Sequence, residues 1–286
     1  MKISTEIQSS AKIIGEEKAV ELVAKAGFDA WDFSLFSMCS YDWKTRCVRP
    51  SEHVLAGRNA INFAKKLKKI GLDNGATCNQ SHAPFPTSCE GVRSKLQLAI
   101  ECTAEAGGKI CVIHPDNEKD VQKNADTYLE LLPFAKSCGV KIATENMWGW
   151  DNAKDCAEPA ICSSPQSFLE LLNAVNDDYF VACLDVGHAE MRGLNTSSKE
   201  MIRALSGKLQ ALHLHDNDLW HDSHQIPFSM GIDFEGIVKA LKEIGYCGDF
   251  TLEADAYLSR YDEETVFQGI KNLAESAKKL RDLYLR

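Results

Sequence analysis

The chain of 286 residues carries 41 acidic against 32 basic side chains, a net charge of −9, with 44% hydrophobic and 26% charged residues. That balance is that of an ordinary globular protein with a sizeable core. It argues against a nucleic-acid partner, because phosphate contacts need clustered Lys and Arg. No run reaches the roughly 18 apolar residues of a membrane span. The start, MKISTEIQSS, lacks the charged and apolar regions of a signal peptide, and none of the eleven cysteines forms a C-x-x-C pair. Reduced thiols in a cytoplasmic protein are therefore expected.

Short β-rich runs alternate with longer amphipathic stretches, the pattern of a parallel sheet with crossover helices. The first strand is expected at Lys2–Ile7, followed by a helix over Glu16–Ala26 that stops at Gly27. The second is Ala30–Leu35, with a helix from Ser51 to Ile70 ending at Gly71. Ala76–Ala83 and Lys109–His114 are the third and fourth, separated by a helix ending at Gly107-Gly108. A helix ending near Cys138-Gly139 leads into the fifth, Lys141–Asn146. The sixth, seventh and eighth are Tyr179–Val186, Leu209–Asp216 and Asp249–Ala254, and a helix over Glu263–Leu283 closes the series. Eight such units without a linker predict one (β/α)8 barrel spanning residues 1–286, whose active site lies at the C-terminal ends of the strands.

Those ends are where the apolar strands turn polar. They offer His82, His114, Glu145, Asp185 with His188, His213 with His215, and Glu253, and the loop after the seventh strand adds Asp222 and His224. One such residue alone reads as a structural or capping group. Several carboxylates converging on one mouth require a compensating cation, since unpaired buried charge is costly. The oxygen–nitrogen donor set suits one Mn²⁺, Mg²⁺, Co²⁺ or Zn²⁺ and no organic cofactor. His213 and His215 lie two apart on a strand and face the same way. His215, nearer the C-terminal end, is the expected metal ligand, and His213, one layer deeper, a structural or supporting histidine.

These segments resemble the xylose isomerase-like barrels. The resemblance rests on Ser81-His82-Ala83-Pro84-Phe85, Val112-Ile113-His114-Pro115, Thr144-Glu145-Asn146, Cys183-Leu184-Asp185-Val186-Gly187-His188, His213-Leu214-His215-Asp216-Asn217-Asp218, Pro227 to Phe234, and Leu252-Glu253. Its sugar-epimerase branch implies one divalent metal on Glu145, Asp185, His215 and Glu253. The two glutamates would be the catalytic acid and base, and His188, His82 and His114 substrate-binding groups. Trp148 or Trp150 is a candidate for stacking on a sugar face. The loop after the seventh strand departs from the branch, with Pro227-Phe228-Ser229-Met230-Gly231 where relatives carry Pro-Gly-x-Gly.

The resemblance thus implies an isomerase or epimerase of a small sugar or sugar phosphate, with a carbohydrate partner, no membrane and scope for a homo-oligomer. Glu145 or Glu253 would take a proton next to a polarised carbonyl, giving a cis-enediolate, and return of the proton to the same or the neighbouring carbon separates epimerisation from isomerisation. Two further activities share the barrel. An inosose-dehydratase-like lyase would begin with the same enediolate. An endonuclease IV-like, zinc-dependent apurinic-site nuclease would place three ions on His82, His114, Glu145, Asp185, His188, His215, Asp222, His224 and Glu253. A barrel that binds sugar without turning it over is a third class. Against the nuclease stands the absence of loops rich in Arg, Lys and small polar residues.

Overall fold

A computed structural model describes all 286 residues. Eight parallel strands form one sheet: β1 Ile3–Glu6, β2 Ala30–Ser34, β3 Thr77–His82, β4 Ile110–Val112, β5 Lys141–Glu145, β6 Phe180–Asp185, β7 Leu209–His213 and β8 Phe250–Leu252. Each neighbours the next in sequence, and β8 pairs with β1 through Ile3↔Phe250 and Thr5↔Leu252. The last seam is closed beyond the end of β7. There Leu214 N–H donates to Thr251 O at 2.9 Å and Glu253 N–H donates to Leu214 O at 3.1 Å. The result is the (β/α)8 barrel that the alternating pattern predicted.

Eight helices surround it, the first seven of them crossovers: α1 Glu16–Ala26, α2 Ala60–Asp73, α3 Leu96–Ala106, α4 Val121–Cys138, α5 Pro165–Val175, α6 Ser198–Leu205, α7 Phe234–Glu243 and α8 Val266–Leu285. Their apolar stripes pack on the outer faces of the strands in one continuous core that includes Trp31, Phe168, Phe180 and Phe250. Left-handed Gly27, Gly107 and Gly139 terminate α1, α3 and α4, at φ values of 101°, 95° and 66° that favour glycine.

The second helix differs from its expected span. Residues 51–59 hold only a short 3₁₀ turn, Val54–Ala56, and extended Gly57 separates it from α2. At the other end α2 runs through Gly71 to Asp73. Gly71 is there for close packing, since a Cβ at that position would lie 2.7 Å from Trp31 Nε1 and 2.8 Å from Ala76 O. Two hairpins also decorate the mouth of the barrel: Ser40–Asp42 with Cys47–Arg49 after β2, and Trp148–Asp151 with Cys156–Pro159 after β5.

Two register shifts set the depth of the interior side chains. Between β2 and β3 the pairing passes from Trp31↔Cys78 to Asp32↔Gln80, leaving Asn79 as an extra residue. Between β6 and β7 it passes from Ala182↔Leu209 to Cys183↔Ala211, leaving Gln210 extra and setting His213 directly opposite Asp185. Such bulges re-aim the side chains that follow them. No helix is long and apolar enough to cross a membrane.

Candidate functional site

The strand ends and the loop after β7 bring their polar side chains into one constellation of three adjoining groups. In the central group, ligand-type atoms of Glu145, Asp185, His213 and Glu253 all lie within 4.8 Å of one another. His213 Nδ1 is 3.2 Å from Glu145 Oε1 and 3.2 Å from Glu253 Oε2. In the second group, His82 Nε2 and His114 Nε2 face each other at 2.9 Å and reach Glu145 Oε2 at 3.5 and 3.2 Å. The third is His188, His215, Asp222 and His224. Here Asp222 Oδ2 lies 3.1 Å from His188 Nε2 and 3.2 Å from His224 Nε2, while Asp222 Oδ1 lies 3.5 Å from His215 Nε2.

His213, rather than His215, therefore joins the carboxylates of the central group. The bulge at Gln210 puts His213 level with Asp185. His215 is two residues further up, where its Nε2 meets Asp185 Oδ1 at 3.0 Å and its ring stacks on His224 with centroids 3.8 Å apart. Asp185 thus links the central and third groups. Asp222 and His224 reach the site because buried Asp216 pins their loop, accepting from Met230 N at 2.7 Å and Ile232 N at 3.0 Å.

The outer nitrogens of three histidines are fixed by main-chain acceptors. His82 Nδ1 donates to Ala83 O (3.0 Å), His188 Nδ1 to Asn146 O (2.8 Å) and His224 Nδ1 to Glu253 O (2.7 Å). A carbonyl only accepts, so each Nδ1 bears the proton and each Nε2 presents its lone pair to the centre when the ring is neutral. This is the outer-shell arrangement that orients metal-binding histidines.

The charges are mutually dependent. Burial would raise the Glu145 carboxyl, yet His213 and His114 hold it well below the usual range. Asp185 is brought to about 2 against the effect of burial by His188 and His215. Burial raises Glu253, and the Glu145 charge adds to that. His188 is lifted to about 10, burial being outweighed by Asp185 and Asp222. Burial and neighbouring His82 push His114 down to about 4. Within the three groups two buried carboxylate oxygens, Glu145 Oε2 and Asp222 Oδ1, have no hydrogen-bond partner. Orphaned anionic oxygens beside inward-facing imidazoles fit a divalent cation, which can satisfy both donor types at once.

Above the groups opens a cavity of about 690 Å³, within the range of small-molecule sites. His82, His114, Glu145, His188 and Glu253 line its floor, and Phe36, Tyr41, Trp43, Phe85 and Trp148 line its walls. Trp148 stands over the site with its ring 6.3 Å from that of His188, whereas Trp150 stacks on His221 outside the lining. Arg46, paired with Glu118, is the one Lys or Arg side chain at the cavity.

Sequence reasoning missed Asp32 on β2 and Glu6 on β1. Both are buried carboxylates, Glu6 at the end of its strand and Asp32 in the middle of its own, and Glu6 accepts from Ser9 N at 3.0 Å. The available signal was a single acidic residue in each of the first two strands, Ile3-Ser-Thr-Glu6 and Ala30-Trp-Asp32-Phe.

Comparison with known proteins bears on the fold and the family. A D-tagatose 3-epimerase-like protein superimposes with a TM-score of 0.70 at 20% identity, covering 99% of both chains. D-psicose 3-epimerase from Clostridium cellulolyticum H10 gives 0.70 at 15% identity over 98% of this chain and 99% of that one. A xylose isomerase domain protein from Alicyclobacillus acidocaldarius gives 0.73 at 14% over the full length of both. At these identities the likeness establishes the fold. An uncharacterized protein of Methanocaldococcus jannaschii is 25% identical over 253 residues, 82% of this chain and 78% of its own. Residues 20–283, nearly the whole barrel, match the family described as xylose isomerase-like TIM barrel, and the chain belongs to that family.

Proposed function

We propose that this chain is a divalent-metal-dependent isomerase or epimerase of a small sugar or sugar phosphate, carried by one domain over residues 1–286. The observation that carries the reading is the central group, Glu145, Asp185, His213 and Glu253, of which Glu145 and Glu253 line a sugar-sized cavity with aromatic walls while Asp185 and His213 are buried beneath it. The epimerases among the structural neighbours agree with it. In this reading His213 stands where the sequence resemblance put His215, beside Glu145, Asp185 and Glu253.

When bound, the metal supplies Lewis-acid polarisation of a substrate carbonyl. Glu145 ends strand β5 and Glu253 directly follows β8, and each has an oxygen 3.2 Å from His213 Nδ1. Two carboxylates so placed can address a carbon held between them, one removing a proton and the other delivering one. His188, His82 and His114 direct nitrogens at the substrate oxygens. Trp148 and Phe85 cover the sugar and exclude water.

The test is proton exchange. Wild-type protein loaded with Mn²⁺ or Co²⁺ is incubated in D₂O with a panel of ketoses and aldoses, free and phosphorylated, and deuterium uptake next to the carbonyl is followed by NMR. Glu145→Gln and Glu253→Gln should each lower exchange about 10²–10⁴-fold with the fold intact. Variants within tenfold of wild type would sink the two-glutamate scheme.

A second reading has one observation in its favour. The flanking groups could hold two more ions, as the nuclease arrangement requires. Close to three zinc ions per chain by elemental mass spectrometry, with cleavage of abasic DNA, would favour it. One ion per chain supports the sugar reading, as does a cavity lined by a single Arg and no Lys.

A further inference from the structure

His213 differs from the other histidines of the site. His82, His188 and His224 turn Nε2 inward and anchor Nδ1 on a main-chain carbonyl. His213 turns Nδ1 inward, towards Glu145 and Glu253, and no carbonyl holds its outer nitrogen. Facing that nitrogen is the carboxylate of Asp32, with Oδ2 3.7 Å from Nε2. His213 Nε2 and Asp32 Oδ1 are both buried without a hydrogen-bond partner. The Cys183 thiol also borders His213. Burial pushes that thiol up to about 12, so it stays neutral and is a weak acceptor beside a carboxylate.

Asp32 is itself held from behind. Gln80 Nε2 donates to Asp32 Oδ2 at 2.9 Å, and Gln80 Oε1 accepts from Thr251 Oγ1 at 3.3 Å. Asn79 Nδ2 donates to the same Thr251 hydroxyl at 3.0 Å, and Asn79 Oδ1 accepts from Ser4 Oγ at 2.8 Å. The bulge that makes Asn79 an extra residue lets two consecutive side chains reach Thr251. Because the Thr251 hydroxyl spends its proton on Gln80 Oε1, the amide must present N–H to Asp32. A polar ladder of Ser4, Asn79, Thr251 and Gln80 therefore runs across the barrel interior and ends on one carboxylate oxygen, leaving the other free.

We infer that Asp32 is a positioning residue: it accepts the Nε2 proton of His213, fixing the tautomer whose Nδ1 lone pair is offered to the metal. This rests on the metal reading of the central group. The same coupling of carboxylate to imidazole raises ligand basicity and fixes ring orientation in metal sites generally.

The experiment measures affinity for Mn²⁺ and Co²⁺, added separately to chelator-stripped protein, by calorimetry, with the visible spectrum of the Co²⁺ form as a second readout. Asp32→Ala should weaken binding 10–100-fold and shift the Co²⁺ bands. Asp32→Asn keeps an acceptor without the charge and should fall between Ala and wild type. The metal-free thermal midpoints report the fold separately. A merely structural Asp32 would lower those midpoints and leave the affinity of the folded protein and the Co²⁺ spectrum unchanged, which overturns the inference. Affinities within twofold of wild type for both variants overturn it as well. If wild type takes up neither metal, the metal reading falls and takes the inference with it.

Discussion

Gly187→Ala tests the packing that holds the third group, His188, His215, Asp222 and His224. Gly187 lies in the short helix Val186–Glu190 directly after Asp185, with no left-handed φ, so its backbone accepts alanine. Helix propensity alone would make alanine about 1 kcal/mol better than glycine. The neighbourhood reverses the sign. A Cβ there would sit 1.9 Å from His215 Cε1 and 2.3 Å from its Nε2. To regain an ordinary contact of 3.4 Å the ring must move by about 1.5 Å, the difference between 3.4 and 1.9. It has no room, because its far side stacks on His224 at 3.8 Å and its Nε2 is 3.0 Å from Asp185 Oδ1. Overpacking costs about 1–3 kcal/mol, and losing a hydrogen bond to a charged group adds about 1.5. After subtracting the propensity gain, the net loss is about 1.5–3.5 kcal/mol. Urea unfolding of metal-free protein, followed by far-ultraviolet circular dichroism, measures it as a lower midpoint at unchanged slope. The double variant with His215→Ala should recover most of the added cost, because the clash partner is gone. A Gly187→Ala protein as stable as wild type would refute the steric argument.

The remaining expectations concern pH and metal. Burial, with Asp255 and Glu253 nearby, lifts Glu6 from 4.5 to about 7, despite two hydrogen bonds from Ser9. An acid raised in the folded state costs stability as pH climbs from 4.5 through about 7. At about 1.4 kcal/mol per pH unit the full cost is about 3 kcal/mol. Glu6→Gln, which forfeits about 1 kcal/mol of hydrogen bonding, should therefore stabilise metal-free protein by about 2 kcal/mol at pH 8 and not at pH 4. Equal effects at both pH values would contradict the buried-charge assignment. Chelation should lower the thermal midpoint. Metal at 100 times its dissociation constant adds about 2.7 kcal/mol, on the order of 5–10 °C here. Identical melts with EDTA and with Mn²⁺, Co²⁺ or Zn²⁺ would count against an occupied site.

Much of the barrel was legible in the sequence because strand and helix leave different periodicities, and because Gly27, Gly107 and Gly139 mark helix ends through a conformation that L side chains resist. The segment 51–59 misled because its side chains suit a helix while extended Gly57 breaks the backbone. The residue types at the strand ends were equally legible, since His, Asp and Glu stand out against apolar strands. Depth was not. Whether His213 or His215 stands level with Asp185 depends on strand register, and register was shifted by one extra residue, Gln210, whose effect exists only in the pairing of β6 with β7. Asp32 stayed hidden for the same reason. Its meaning comes from His213, 181 positions away in the chain, and from a ladder through Gln80, Asn79, Thr251 and Ser4 that only a closed barrel can bring together. Local chemistry determined which groups are present and at which end of the barrel they sit; long-range strand pairing decided which of them touch.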